Sequence, residues 1–158
     1  MRQPPATPAA FASGGWRAYL SGMSETADLT RNQHLVLDAL TGATGPLSAY
    51  GLLDRLRGEG IKAPLQVYRA LDRLVELGLA HRLESLNAFV ACAHAETHHH
   101  QGLAAFAICE TCGRVDEFAD AVVAERLADW SGATGFRAER TTIEIRGHCK
   151  ACVAAGRG

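Results

Sequence analysis

The chain has 158 residues, of which 47% are hydrophobic and 21% charged, with a formal net charge of −1. This length and apolar content suit one ordinary domain or two small ones and exclude disorder along the whole chain. The near-neutral charge gives no bulk electrostatic reason to expect nucleic-acid binding. No apolar run approaches the roughly 18 residues that span a bilayer, and the N-terminus lacks a signal-peptide pattern, so we expect a cytoplasmic protein with no membrane partner.

Helices are predicted throughout the first half of the chain. Residues 1–15, rich in Pro, Ala and Gly, predict a flexible arm, with a helix beginning near Trp16. Three more helices are predicted at RNQHLVLDAL, SAYGLLDRLRGEG and PLQVYRALDRLVELG, where apolar residues recur at helical spacing. The residues that predict their starts are Thr30, Ser48 and Pro64. The glycines that predict the ends of the last two are Gly58, Gly60 and Gly78.

The segment LAHRLESLNAFVAC contains two short alternating runs around Ser85-Leu86-Asn87 and predicts a β-hairpin. Three helices followed by a hairpin is the order of a winged helix-turn-helix, whose last helix enters the DNA major groove. Many small α+β domains share this order, and among them the pattern favours a winged-helix DNA-binding domain, which we predict over residues 16–93. Residues 94–102, polar and rich in histidine, are predicted to be a linker.

Residues 103–158 are predicted to form a small α/β domain. The expected order is a strand (GLAAFAIC), a tight turn (CETCG), a strand at 115–117, a helix at about 119–131 and a long strand (GFRAERTTIEIRG). The apolar face of the helix is predicted to contain Val122, Val123 and Leu127. Because about 55 residues are few for an independent core, this domain needs a staple or a partner.

Two CxxC pairs, Cys109-Glu-Thr-Cys112 and Cys149-Lys-Ala-Cys152, stand next to predicted strand ends. Two such turns direct four sulfurs at one point and complete the tetrahedron of a structural zinc site. The alternatives are a redox-active pair, buried thiols or an iron–sulfur centre. Two pairs that bracket a strand–helix–strand unit are harder to explain by redox chemistry, so zinc is preferred.

The fifth cysteine, Cys92, predicts a second metal site together with its neighbours. Antiparallel pairing brings His81, at the start of the hairpin, close to Cys92 at its end. A histidine tract follows, and Glu117 comes just after the first CxxC pair. Singly, each has an ordinary interpretation as a surface histidine, a small core residue or a solvated carboxylate. Together they offer nitrogen, sulfur and oxygen donors from both sides of the linker, which favours a metal site.

The sequence resembles the ferric uptake regulator (Fur) superfamily of metal-dependent transcriptional repressors. The matching segments are VYRALDRLVELGLAHRLES, the histidine-rich tract, CETCG and HCKAC, in the family's order across residues 30–153. Through SAYGLLDRLR and the pairing of His81 with Cys92, it is most similar to the zinc uptake regulator (Zur) branch. The resemblance implies an α+β fold: an N-terminal winged helix-turn-helix, then an α/β dimerisation domain over residues 103–158 stapled by a four-cysteine zinc site.

The resemblance also implies roles for individual residues. The residues implied to bind structural zinc are Cys109, Cys112, Cys149 and Cys152. Those implied to bind regulatory zinc are His81, Cys92, a histidine of the tract (His100 or His98) and Glu117. The residues implied to face DNA are Tyr50, Tyr68 and Arg69, together with Gln66, which replaces the family's small hydroxyl residue. The resemblance thus implies two Zn²⁺ per chain, a homodimer and a palindromic operator.

The donor set gives its own reason to prefer zinc. Iron and manganese regulators are expected to use imidazole and carboxylate ligands, whereas a thiolate at Cys92 favours a softer ion and suits four-coordinate zinc. We therefore predict a zinc-responsive repressor of zinc uptake genes, with an iron- or other metal-responsive repressor as the alternative.

Other classes of protein fit the sequence less well. A metal-dependent enzyme would keep an open metal position beside a base. Here four candidate ligands fill the site and no Ser/His/Asp arrangement is evident, so neither enzymatic activity nor a small-molecule substrate is expected. A zinc-binding or redox-sensing protein without DNA binding is the remaining alternative, and the helix that carries Tyr68 and Arg69 argues against it.

Overall fold

The structure, a computed structural model, describes residues 29–93 and 103–158, and the described residues from Arg31 onward pack as one unit. Its first part has three helices followed by a hairpin, in the predicted order. The bounds are α1 Arg31–Thr41, α2 Ala49–Leu56, α3 Pro64–Glu76, β1 Ala80–Leu83 and β2 Ala88–Ala91. Turns of 3-10 helix occupy Arg57–Glu59 and Glu84–Leu86. The predicted arm over 1–15, the helix start near Trp16 and the linker over 94–102 lie outside the described residues.

Capping, proline and glycine residues mark where these helices begin and end. The Ser48 side chain accepts a hydrogen bond from the Gly51 N–H at 3.0 Å, which caps α2. Pro64 is the first residue of α3, a position where its missing N–H leaves no carbonyl unsatisfied. Gly60 and Gly78 follow the two helices with φ values of 96° and 69°, the left-handed conformation that only glycine adopts readily.

The three helices and the hairpin share one apolar core. Its fully buried side chains each contribute about 1.5–3 kcal/mol relative to exposure, and they include Val36, Leu52, Val67, Leu71 and Leu74. Leu47 and Phe89 exchange backbone hydrogen bonds of 2.9 and 2.8 Å, which join the hairpin to the segment before α2. This core therefore packs α3 and the hairpin together.

The second part is a three-stranded sheet with two helices. The bounds are β3 Leu103–Cys109, β4 Val115–Phe118, α4 Ala121–Thr134, β5 Thr141–Gly147 and α5 Lys150–Ala154. The strand order is β4-β3-β5, with β3 antiparallel to β4 and parallel to β5. The predicted long strand is wrong over residues 135–140. Residues 135–140 form no strand, and β5 begins at Thr141, the first residue of β5 that pairs with the central strand.

An apolar seam joins the hairpin to this sheet. Leu83 of the hairpin is buried with Ala104, Phe106 and Ile108 of β3, and Val90 packs against the same cluster. In contrast to the hairpin, helix α4, which the structure describes in full, has no buried residue. Val122, predicted on its apolar face, is 66% exposed.

Candidate metal centres and nucleic-acid interface

The four CxxC cysteines converge on one point. Their sulfur atoms all lie within 4.8 Å of one another, and the Sγ atoms of Cys112 and Cys149 are 3.8 Å apart. A tetrahedral zinc with Zn–S bonds of about 2.3 Å separates its sulfurs by about 3.8 Å, whereas a disulfide joins them at about 2.05 Å. The arrangement therefore fits a zinc site with four cysteine ligands.

Parallel strand pairing is what brings the two motifs together across 36 intervening residues. Cys109 ends β3 in register with Gly147 at the end of β5, so both CxxC turns leave the same edge of the sheet. The backbone N–H of Glu110 donates to the Gly147 carbonyl at 2.8 Å. The Cys149 N–H donates to the Cys109 sulfur at 3.3 Å.

The thiols of this cluster differ in acidity. The hydrogen bond donated by the Cys149 backbone lowers the pKa of Cys109 to about 5. Burial raises the pKa of Cys152 to about 12, and the neighbouring sulfurs add to that increase. The backbone thus stabilises the Cys109 thiolate, whereas ionising the Cys152 thiol at neutral pH requires a cation beside it.

Two side chains that sequence reasoning missed brace this cluster. The Thr111 hydroxyl donates to the Arg157 carbonyl at 2.9 Å and lies 2.8 Å from Nδ1 of His148. The Thr111 hydroxyl has one proton, which it donates to the Arg157 carbonyl. In the hydrogen bond between Thr111 and His148, we therefore assign the proton to Nδ1 of His148. Their positions, inside one CxxC pair and next to the other, are the only sequence signal that marks them.

A second cluster joins His81, Cys92 and Glu117, whose ligand atoms also lie within 4.8 Å of one another. Oε1 of Glu117 is 3.6 Å from Nε2 of His81 and 3.8 Å from the Cys92 sulfur. The Ala93 N–H donates to Oε2 at 2.8 Å and thereby orients the carboxylate. The Glu117 side chain is only 6% exposed. Zinc accepts a mixed set of nitrogen, sulfur and oxygen donors, so this cluster fits it.

Strand register explains how the hairpin presents these donors. His81 pairs with Val90, and Cys92 lies two residues further along the chain, on the same face of the hairpin. The His81 ring is tilted against Phe106 of β3 with ring centroids 5.3 Å apart. The remaining predicted ligands, His98 and His100, lie outside the described residues.

The exposed face of α3 carries the predicted DNA-facing residues. Tyr68 is 39% exposed, which places its ring outside the helical core, and Arg69 beside it is exposed as well. Leu65, one turn earlier, is 58% exposed. Sequence reasoning missed Leu65, although its spacing of three and four residues from Tyr68 and Arg69 places it on the same face.

Two further predicted DNA-facing residues lie near helix starts. Tyr50 is 64% exposed, in the first turn of α2. Gln66 is exposed, but its Oε1 accepts hydrogen bonds from the backbone N–H groups of Lys62 and Ala63, at 2.9 and 3.1 Å. These bonds satisfy donors at the start of α3, so Gln66 has a capping role in addition to any contact with DNA.

No helix within residues 29–93 or 103–158 combines the length and the apolar character that crossing a membrane would require.

Comparison with known proteins gives concordant matches. The model of the ferric uptake regulator family matches residues 28–146. The zinc uptake regulation protein of Escherichia coli (strain K12) is 38% identical over 126 residues, which is 79% of this chain and 72% of that protein. A crystal structure of holo XcZur is 40% identical with a TM-score of 0.76, covering 87% of this chain and 96% of that one. A zinc uptake regulator complexed with zinc and DNA is 34% identical with a TM-score of 0.79, covering 90% and 94%.

Proposed function

The chain belongs to the ferric uptake regulator family, in its zinc uptake regulator branch, and we propose that it represses zinc uptake genes by binding palindromic operator DNA as a homodimer when zinc is bound. The family consists of transcription regulators rather than enzymes. The observation that carries the proposal is the cluster of His81, Cys92 and Glu117, whose donors come from both sides of residues 94–102.

Each chain holds two zinc ions in this proposal. The structural ion is held by the four CxxC cysteines, which tie the ends of β3 and β5 together. The regulatory ion is held by His81, Cys92 and Glu117. A closed tetrahedral site takes four ligands, and we assign the fourth to His100 or His98. His98 lies six residues after Cys92, and six extended residues reach about 20 Å, so the chain is long enough.

The regulatory site couples metal to the orientation of α3. His81 and Cys92 belong to the hairpin and Glu117 to the sheet, so one ion cross-links the two parts. The shared helical core passes this constraint from the hairpin to α3. In a dimer, fixed sheets and fixed hairpins hold the two α3 helices about 34–36 Å apart, one turn of DNA. Linkage then requires DNA to strengthen zinc binding by the same factor by which zinc strengthens DNA binding.

The face of α3 that carries Leu65, Tyr68 and Arg69 reads the major groove in this proposal. Arg69 has the fork of donors that recognises guanine, and the ring of Tyr68 and the methyl groups of Leu65 suit contact with thymine methyls. Tyr50, at the start of α2, contacts the DNA backbone. The carboxamide NH₂ group of Gln66 remains for a base edge, because its oxygen caps the helix.

The homodimer is supported by apolar surface that the described residues of the chain leave exposed. Val122, Trp130, Phe136, Ile145 and Val153 are each more than half exposed, and they lie on or beside α4, β5 and α5. Exposed apolar surface of this kind marks interaction sites. Among the described strands, β5 pairs with β3 alone, which leaves its other edge for a partner. We assign dimerisation to residues 103–158, DNA binding to residues 16–93, the linker to 94–102 and a flexible arm to 1–15.

In a direct test, the zinc-loaded protein is used to select a tightly bound DNA duplex from a random-sequence library. Binding of that duplex and of a scrambled duplex is then followed by fluorescence anisotropy during titration with zinc, ferrous iron or manganese, with chelator as the reversal step. We expect specific, chelator-reversible binding with zinc. Binding that responds only to iron would overturn the metal assignment, and binding that ignores all three metals would overturn the regulatory function.

A further inference from the structure

One cross-strand row of the sheet faces the whole length of the hairpin. Phe106 of the central strand pairs with Glu117 of β4 on one side and with Glu144 of β5 on the other. Paired residues on neighbouring strands project from the same face of a sheet, and the strands lie about 4.8 Å apart. The row therefore carries two glutamates on either side of a buried phenylalanine, with Cα atoms two strand spacings, or about 10 Å, apart.

The two carboxylates contact opposite ends of the hairpin. Glu117 lies at its base, against Cys92 and the Ala93 N–H. Glu144 lies at its tip: Oε1 accepts a hydrogen bond from the Glu84 N–H at 2.7 Å and Oε2 accepts one from the Ser85 N–H at 3.1 Å. Both acceptor atoms of Glu144 are thus used by a turn some 60 residues away in the sequence.

The structure assigns to Glu144 the role of a positioning residue, a metal-independent latch that holds the hairpin tip on the sheet while the regulatory site closes at the hairpin base. This inference rests on the proposed function, because a latch on the hairpin regulates DNA binding only if zinc binding does. Glu144 is two strands from Glu117 in the row, so it holds the tip without contributing a donor to the cluster of His81, Cys92 and Glu117.

Attachment to the sheet at both ends fixes the orientation of the hairpin, whereas attachment at one end leaves the hairpin free to turn. A cross-link at the base alone permits the hairpin to pivot about that point, and the buried seam of Leu83 against Phe106 is non-directional. Hydrogen bonds from two consecutive N–H groups to one carboxylate are directional and fix the tip. Glu144 therefore raises the population of the docked hairpin before zinc arrives.

The effect of losing Glu144 on zinc affinity follows from the fraction of chains whose hairpin is docked on the sheet. Zinc needs the docked state, in which His81 and Cys92 lie beside Glu117, so its apparent affinity is proportional to the fraction of docked chains. Loss of hydrogen bonds to a partly exposed carboxylate is expected to lower the docking equilibrium constant about tenfold. Where undocked chains predominate before zinc binds, the docked fraction falls by the same factor. The zinc concentration that gives half-maximal DNA binding then rises about tenfold, while zinc stoichiometry and binding at saturating zinc are kept.

The experiment compares Glu144→Gln and Glu144→Ala with Glu139→Gln, a control at an exposed glutamate just before β5. Each full-length protein is titrated with zinc against a fluorescent chelator, and separately against the selected duplex. Hydrogen–deuterium exchange of the peptide that contains Glu84 and Ser85 is measured alongside. We expect both Glu144 variants to shift the two zinc midpoints about tenfold and to lose amide protection, with the control unchanged.

The glutamine variant separates a latch from simple packing. A carboxamide turns one acceptor into a donor that faces an N–H, so it cannot accept both bonds. A Glu144→Gln protein that behaves like wild type, while Glu144→Ala is impaired, would overturn the latch in favour of packing. Unchanged chelator midpoints and exchange in both variants would also overturn it. A wild-type protein whose DNA binding ignores zinc would overturn the proposed function alone, because the chelator and exchange measurements still test the latch.

Discussion

Replacing Cys92 with serine separates the two proposed metal sites most sharply. The change removes the one sulfur donor from the cluster of His81, Cys92 and Glu117 and leaves all four CxxC cysteines in place. The side chain shrinks slightly and stays polar at a half-buried position, so the helical core and the sheet are unaffected. We expect a folded dimer that retains one zinc ion per chain instead of two.

The size of the effect follows from where the donors lie. Two of the described ligands, His81 and Cys92, belong to the hairpin, and one, Glu117, belongs to the sheet. Without the thiolate, His81 is the hairpin's remaining described ligand, and the cross-link to the sheet is lost with the ion. Coupling energies between sites are typically about 1–3 kcal/mol, so zinc-dependent tightening of DNA binding should fall from about 5–150-fold to none.

The assay combines zinc analysis by atomic emission with anisotropy titration of the selected duplex. Glu117→Gln is a second route to the same loss, and Glu139→Gln is the exposed control. Light scattering and thermal unfolding check that the Cys92→Ser protein remains a folded dimer. A variant that retains two zinc ions, or that responds to zinc at the wild-type concentration, would refute the assignment of Cys92 to the regulatory site.

Four further outcomes are expected. Cys112→Ser leaves three sulfurs in the CxxC cluster, so the protein should lose its structural zinc and unfold at a lower temperature; full zinc content after dialysis would contradict this. Asn87 has a φ of 46°, so Asn87→Ala should lower the unfolding free energy by about 1 kcal/mol whereas Asn87→Gly should not; equal stabilities would argue against the left-handed turn. Arg69→Ala should cost about 1–3 kcal/mol of binding to the selected duplex and less on scrambled DNA; equal losses would exclude base reading. Burial raises the pKa of Glu144, but hydrogen bonds from Ser85 and Glu84 outweigh it and leave the pKa below the ordinary 4.5. The Glu144 carboxylate therefore contributes fully to stability above pH 4.5, and this contribution is lost as the pH falls through the lowered pKa. The unfolding free energy of Glu144→Gln should consequently fall less steeply in acid than that of the wild type.

The sequence predicted a structural feature correctly where all the residues that determine it lie in one short segment. The cap at Ser48, the start of α3 at Pro64 and the turn around Asn87 each depend on residues a few positions apart. The predicted strand over 135–140 failed because alternation in a sequence does not say where the partner strand begins. Here the described pairing of β5 with its partner strand starts at Thr141.

The amino-acid sequence by itself determined which donors exist: two CxxC pairs, and a fifth cysteine near a histidine and an acidic residue. Their chemistry favours zinc whatever the fold, because thiolate and imidazole are the ligands that zinc prefers. The tertiary structure alone decided which donors meet. Parallel pairing of β3 with β5 joins the CxxC pairs, and the register of three strands aligns Glu117, Phe106 and Glu144 under the hairpin. Glu144 carries no sequence signal, because its partners are backbone N–H groups, which every residue except proline has.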